Sequence, residues 1–192
     1  MRHFTGMVGL FGSMVLLAAA CGSGPSTAGA GGPSPTPSAS ASPSASPSAT
    51  ASPSASSQFF QLDQANKTVS LTLISSFNNT AGGFNFDGFA NGAMKVTVPI
   101  GWKVDVTCAN HGAVNHSCVI AADATATSPV FPGASSTNPM TGVAKGQQQT
   151  FSFSPDKAGN YRIVCLVPGH ESAGMWDAFD VISSGVPAFT TS

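Results

Sequence analysis

Along the last two-thirds of the chain, apolar and polar residues alternate in short runs. In "KTVSLTLI", Val69, Leu71 and Leu73 share one face. In "MKVTVPIGWKVDVTC", Val96 and Val98 do the same, and past a Pro-Ile-Gly corner so do Trp102, Val104, Val106 and Cys108. The runs "SCVIA", "QTFSFS", "NYRIVC" and "DAFDVI" follow, separated by clusters of Gly, Pro, Asn and Asp. Successive side chains of a strand point to opposite faces, so each run predicts a half-buried strand, and no window carries the 3.6-residue period of a helix. About seven short strands with turn punctuation predict an all-β fold, an antiparallel sandwich. The Ser-, Pro- and Thr-rich stretch 125–141 predicts a long irregular connection with room for a short hairpin.

Residues 58–192 hold all of these runs and are one domain by size. The 57 residues before them are different material. In "MRHFTGMVGLFGSMVLLAAAC", Arg2 precedes an uncharged apolar run that ends at Ala20. That is the layout of an export signal over 1–20, too short and Gly-broken for a membrane span. Small residues followed directly by Cys21 make the stretch resemble a bacterial lipoprotein signal, although Ala18 stands where Leu is usual. Cys21 is therefore the expected lipidation site, with simple cleavage or an uncleaved anchor as the alternatives. The Pro/Ser/Ala-rich stretch 21–57 has no charge and no large apolar side chain after its Cys. It buries too little surface to offset chain entropy and reads as a disordered tether, compatible with an O-glycosylated stalk. The expected location is the outer face of the cytoplasmic membrane, anchored by the N-terminal lipid.

Charge narrows the function classes. Only 8% of residues are charged and the formal net charge is -1. Nothing is basic enough to hold a nucleic-acid backbone by counterion release. No closely spaced pair of carboxylates suggests acid–base hydrolysis. The chemistry is concentrated in "CLVPGHESAGMW", where Cys165, His170 and Met175 recur every five residues. That spacing belongs to neither helix nor strand and predicts a loop folded around a point. Tyr161, Ile163 and Cys165 share strand parity, so the Cys165 sulfur faces the interior. Two tight turns then return His170 and Met175. A fourth donor comes from "CANHGAVNHSCVIA". His116 has the parity of Cys118, Ile120 and Ala122 and points inward, whereas His111, beside Gly112, reads as a solvated loop residue.

Two imidazoles, a thiolate and a weak thioether are the ligand set of a blue-copper electron-transfer site. The motif Cys165-x4-His170-x4-Met175 with the upstream His116 resembles the cupredoxins. The stretches "FNFDGFANGAMKVTVPIGWKVDV", "NHS" and "YRIVCLVPGHESAGMW" resemble the sulfocyanins among them. The resemblance implies an eight-stranded Greek-key sandwich and one mononuclear type 1 copper bound by His116, Cys165, His170 and Met175. It further implies a membrane-anchored, non-enzymatic carrier of single electrons between respiratory partners such as a cytochrome or terminal oxidase. A monomer is expected. Ser117 stands where many cupredoxins have Asn, at a position able to hydrogen-bond to the ligand loop. The remaining cysteines are assigned economically as a Cys108–Cys118 disulfide across a hairpin, buried free thiols being the alternative. Multicopper enzymes need more histidines than the four present, one of them in the signal. Extracytoplasmic copper storage or delivery remains the rival function.

Overall fold

The computed structural model describes residues 58–192. The signal segment 1–20, Cys21 and the linker to residue 57 lie outside the described residues. Among the described residues nine strands form: β1 Phe60–Asp63, β2 Thr68–Ser75, β3 Met94–Pro99, β4 Lys103–Asn110, β5 Val119–Ala121, β6 Gln148–Phe153, β7 Gly159–Val164, β8 Trp176–Ile182 and β9 Ala188–Thr191. One 3-10 turn, Thr80–Gly83, follows β2. The strands build a four-stranded sheet, β1-β2-β4-β6, and a five-stranded sheet, β5-β7-β8-β3-β9. The fold is the expected all-β sandwich, with one strand more than the eight implied by resemblance.

The sheets are mixed, which corrects the antiparallel expectation. β2 runs parallel to β4, and β3 runs parallel to β8. Alternation has period two in either direction, so it does not report strand sense. The crossover does: the chain leaves β2, forms β3 in the other sheet and returns as β4, and parallel neighbours need such a connection.

The core lies between the two inner faces. Val69, Leu71 and Leu73 of β2 and Val104, Val106 and Cys108 of β4 face Met94, Val96 and Val98 of β3 and Phe179 and Val181 of β8. All are at most 3% exposed. Complete burial of a side chain such as Leu73 or Phe179 contributes about 1.5–3 kcal/mol.

A smaller cluster on the outer face of the second sheet joins Val119, Ala121, Val164 and Leu166, with Ala126 and Trp176 packed against it. The Arg162 guanidinium stacks 3.9 Å over the Trp176 ring. Both faces of β5 and of the end of β7 are therefore covered, while Ala122, just past β5, is exposed. The stretch 125–141 forms no hairpin of its own. It lies along β5 instead: the Val130 amide donates to the Ile120 carbonyl, the Ile120 amide to Ala134, and the Ser136 amide to Cys118.

Candidate metal centre

His116 is delivered by the loop between β4 and β5, which is closed at its base by a Cys108–Cys118 disulfide. Asn110, 1% exposed, ties that loop together. Its side-chain amide donates to the Val114 and Val143 carbonyls at 2.7 and 2.8 Å, and its oxygen accepts from the Gly112 amide at 2.8 Å. His116 precedes β5 rather than lying in it, and exchanges two backbone hydrogen bonds with Val143. Gly142 is needed beneath it, because a Cβ there would stand 2.7 Å from the His116 carbonyl.

The other donors come from the β7–β8 connection. Cys165 follows the last residue of β7, and its amide donates to the Met175 carbonyl. Between them the backbone folds on itself, with the His170 amide donating to Val167, the Gly174 amide to Glu171 and the Met175 amide to His170. Gly174 (φ +105°) takes a conformation that side chains rarely adopt, and a Cβ there would meet the Asn91 amide at 2.8 Å. Arg162 holds the outside of the loop through Glu171 at 2.9 Å.

These two arms bring four donor atoms together. His116 Nδ1 lies 3.1 Å from His170 Nδ1 and 3.1 Å from Met175 Sδ, and Cys165 Sγ lies 3.4 Å from His170 Nδ1. The donor atoms of His116, Cys165 and His170 all fall within 4.8 Å of one another. His116, Cys165 and Met175 are at most 1% exposed, whereas His170 is half-buried. The Ser117 amide donates to the Cys165 sulfur at 3.2 Å, and the Ser117 hydroxyl accepts from the Leu166 amide at 2.9 Å. Ser117 thus stitches the two arms together, as its position in the sequence suggests.

The electrostatics favour a cation. Burial, and then the facing His170, push the His116 imidazole down to about 4, so it is neutral at ordinary pH. Burial lowers His170 as well. The Cys165 thiol is pushed up by burial, against hydrogen bonds that favour its thiolate. Two neutral imidazoles 3.1 Å apart beside a sulfur offer lone pairs to the same point. Donors about 2.0–2.3 Å from one shared ion have such separations. A bound cation also supplies the charge that a buried thiolate otherwise lacks. The residues fit a metal of the borderline-soft class.

His111 is exposed and outside the cluster. Trp176 packs with the small cluster on the outer face of the second sheet. Three contributors were not evident from sequence. The Phe84 ring meets His170 edge-on at 4.9 Å. The Ser76 hydroxyl lies 3.0 Å from His116 Nε2, and Gly112 leaves room for that contact. Phe84 carries a weak signal, as an aromatic in a Gly-rich loop. Ser76 carries none.

The sulfocyanin (SoxE) domain family matches residues 55–191. The sulfocyanin of Sulfolobus acidocaldarius is 31% identical over 137 residues, covering 65% of this chain and 68% of that protein. Similar solved structures include rusticyanin from Thiobacillus ferrooxidans, with 23% identity, TM-score 0.44 and coverage of 65% of this chain and 86% of that one. Auracyanin from Roseiflexus castenholzii shows 20% identity, TM-score 0.43 and coverage of 59% and 96%. The match across most of the described domain settles the family: the chain belongs to the sulfocyanins, blue-copper proteins of cupredoxin type whose cofactor is a type 1 copper.

Proposed function

We propose that this protein is a mononuclear type 1 copper electron carrier in which His116, Cys165, His170 and Met175 hold the metal. The observation that carries this reading is the convergence of four donors of the blue-copper set from two arms, in a site open to solvent chiefly through His170. When bound there, copper supplies a one-electron couple. The residues do the rest: the thiolate and imidazoles accept both oxidation states, and the buried thioether favours the reduced one. A site fixed by the sandwich keeps nearly one geometry, so little rearrangement accompanies transfer.

Partner contact fits the face where Phe84, edge-on to His170, borders the His116 loop. A groove of about 330 Å³ runs past Gly83, Phe84, Gly112, Ala113 and Val114 to His116, and Val114 is 52% exposed. Such a surface suits brief contact with a redox protein, and membrane-associated respiratory partners are the class we propose. Export, lipidation at Cys21 and a monomer tethered at the outer face of the cytoplasmic membrane belong to the same reading. Copper storage or delivery is less well supported, because the thiol and thioether are buried and the other described methionines, Met94 in the core and Met140 at the surface, form no exposed cluster with each other.

The test is a spectrum. Copper-loaded protein should show an intense visible thiolate-to-Cu(II) band that dithionite bleaches reversibly, with one copper per domain. A folded, copper-loaded, colourless protein would refute the proposal.

A further inference from the structure

Ser76 follows β2 with φ +56°, a backbone conformation a serine rarely takes. Its hydroxyl sits between two groups: it donates to the Gly83 carbonyl at 2.7 Å, and it lies 3.0 Å from His116 Nε2. Gly112 is packed against the pair. A Cβ there would stand 2.5 Å from the Ser76 oxygen and 3.0 Å from His116 Nε2. Three unusual features thus meet at one hydrogen bond: a strained serine, a glycine required by space, and a carbonyl that occupies the hydroxyl proton.

The direction of that bond follows from counting hydrogens. A hydroxyl has one proton, and the carbonyl of Gly83 can only accept it. Towards His116 the Ser76 oxygen is therefore an acceptor, so Nε2 carries the imidazole hydrogen. A neutral imidazole has one protonated nitrogen, which leaves Nδ1 with its lone pair. Nδ1 is the atom that faces His170 Nδ1 and Met175 Sδ. We infer that Ser76 is a positioning residue: it locks His116 in the Nε2–H tautomer before metal arrives and clamps the ring with its lone pair aimed into the site. Outer partners of ligating histidines act in this way, and losing one costs about 10–100-fold in metal affinity. Backbone strain that persists next to a functional group is the mark of such a role.

This inference rests on the proposed copper site through His116 alone, and its first readout needs no metal. In metal-free, 15N-histidine-labelled protein at pH 8, long-range proton–nitrogen correlation should show His116 purely as the Nε2–H tautomer. In Ser76→Ala and Ser76→Gly the two ring-nitrogen shifts should converge as the tautomers mix. Copper affinity, measured by competition with the metal alone, should fall about 10–100-fold. Ser76→Gly suits the positive φ, so it separates the two roles of the serine. If the residue served the fold only, glycine would keep the tautomer and the affinity of the wild type, and that result would overturn the inference. Gly112→Ala keeps the hydroxyl but displaces it, and should mix the tautomers as well. A wild-type His116 in the Nδ1–H form is equally fatal. A wild type that takes up no copper refutes the proposed function instead, while the tautomer measurement still decides the role of Ser76.

Discussion

Between Asn110 and Cys118 the chain is closed at its base by the disulfide and held by partners far away in sequence: the Val143 backbone, the Ser76 hydroxyl and the Leu166 amide. Between Cys165 and Met175 it is held chiefly by its own turns, with Asn91 and Arg162 supporting it from outside. The first arm offers one donor in a rigid frame. The second offers three in a self-folding loop, one of them half-exposed. The difference assigns separate work to the two sides of the site. On the proposed reading the framed arm would fix where a metal sits, and the loop would supply the thiolate, the thioether and the route to solvent.

The largest expected effect is on the loop. Cys165→Ser should abolish the visible band completely while the β domain stays folded, because the oxygen lacks the covalency of a thiolate. Circular dichroism alongside absorbance checks both halves. On the framed arm, His116→Ala should lose the band or recover it with added imidazole. His111→Ala should keep the spectrum nearly intact, since that side chain is exposed and outside the donor cluster. The reverse pair of results would exchange the roles of the two histidines.

The same contrast explains what was legible beforehand. Three donors of the loop could be read locally, because spacing and parity act over a few residues, and Cys165 is indeed fully buried. His116 was reached through the parity of Cys118 and Ile120, yet the strand is only Val119–Ala121 and Ala122 breaks the alternation. Ser76 was invisible. Its role depends on a positive φ and on partners 7 and 40 residues away. The strands β1 and β9 went unread for a different reason: they are short edge strands of mixed polarity, "FQLD" and "AFTT", without a clean alternating face.

Opening the frame should cost less than losing a donor. Replacing Cys108 and Cys118 together by Ala removes a crosslink spanning 10 residues. Loop-closure entropy puts the loss at about 2–3 kcal/mol. Denaturant unfolding of wild type and variant should differ by that amount, with the band still present in the folded protein. Unchanged stability would mean that Asn110 and Val143 suffice to hold the arm. A graded change in the loop is gentler still. Met175→Gln should lower the reduction potential and Met175→Leu should raise it, since an oxygen donor favours Cu(II) and an apolar side chain offers it nothing. Protein-film voltammetry reads both, and equal potentials would remove Met175 from the site.

The smallest effect on the metal centre comes from the scaffold behind the framed arm, where a change in stability should leave the spectrum alone. Asp87 is 3% exposed, and one of its oxygens accepts the Ile74 amide at 2.8 Å. The other oxygen has no hydrogen-bond partner among the described residues. Burial pushes this carboxyl from 3.8 up to about 8, the Ile74 bond opposes the rise, and the nearby Asp177 adds to it. Between those two values the folded chain keeps a proton that the unfolded chain has released. The contribution to stability is therefore complete below 3.8 and is lost as pH rises towards 8. One proton corresponds to a slope of at most about 1.4 kcal/mol per pH unit. Asp87→Asn does not titrate, keeps an acceptor for Ile74 and tolerates the local φ of +56°. Urea unfolding of metal-free wild type and variant at pH 4, 6 and 8 should thus show wild-type stability gaining on the variant as pH falls. Taking the difference between the two proteins cancels the opposite effect of His116 and His170, whose lowered values in the fold cost stability in acid. Parallel pH profiles would show that the buried carboxyl is ionised in the folded protein and that this account of its environment is wrong.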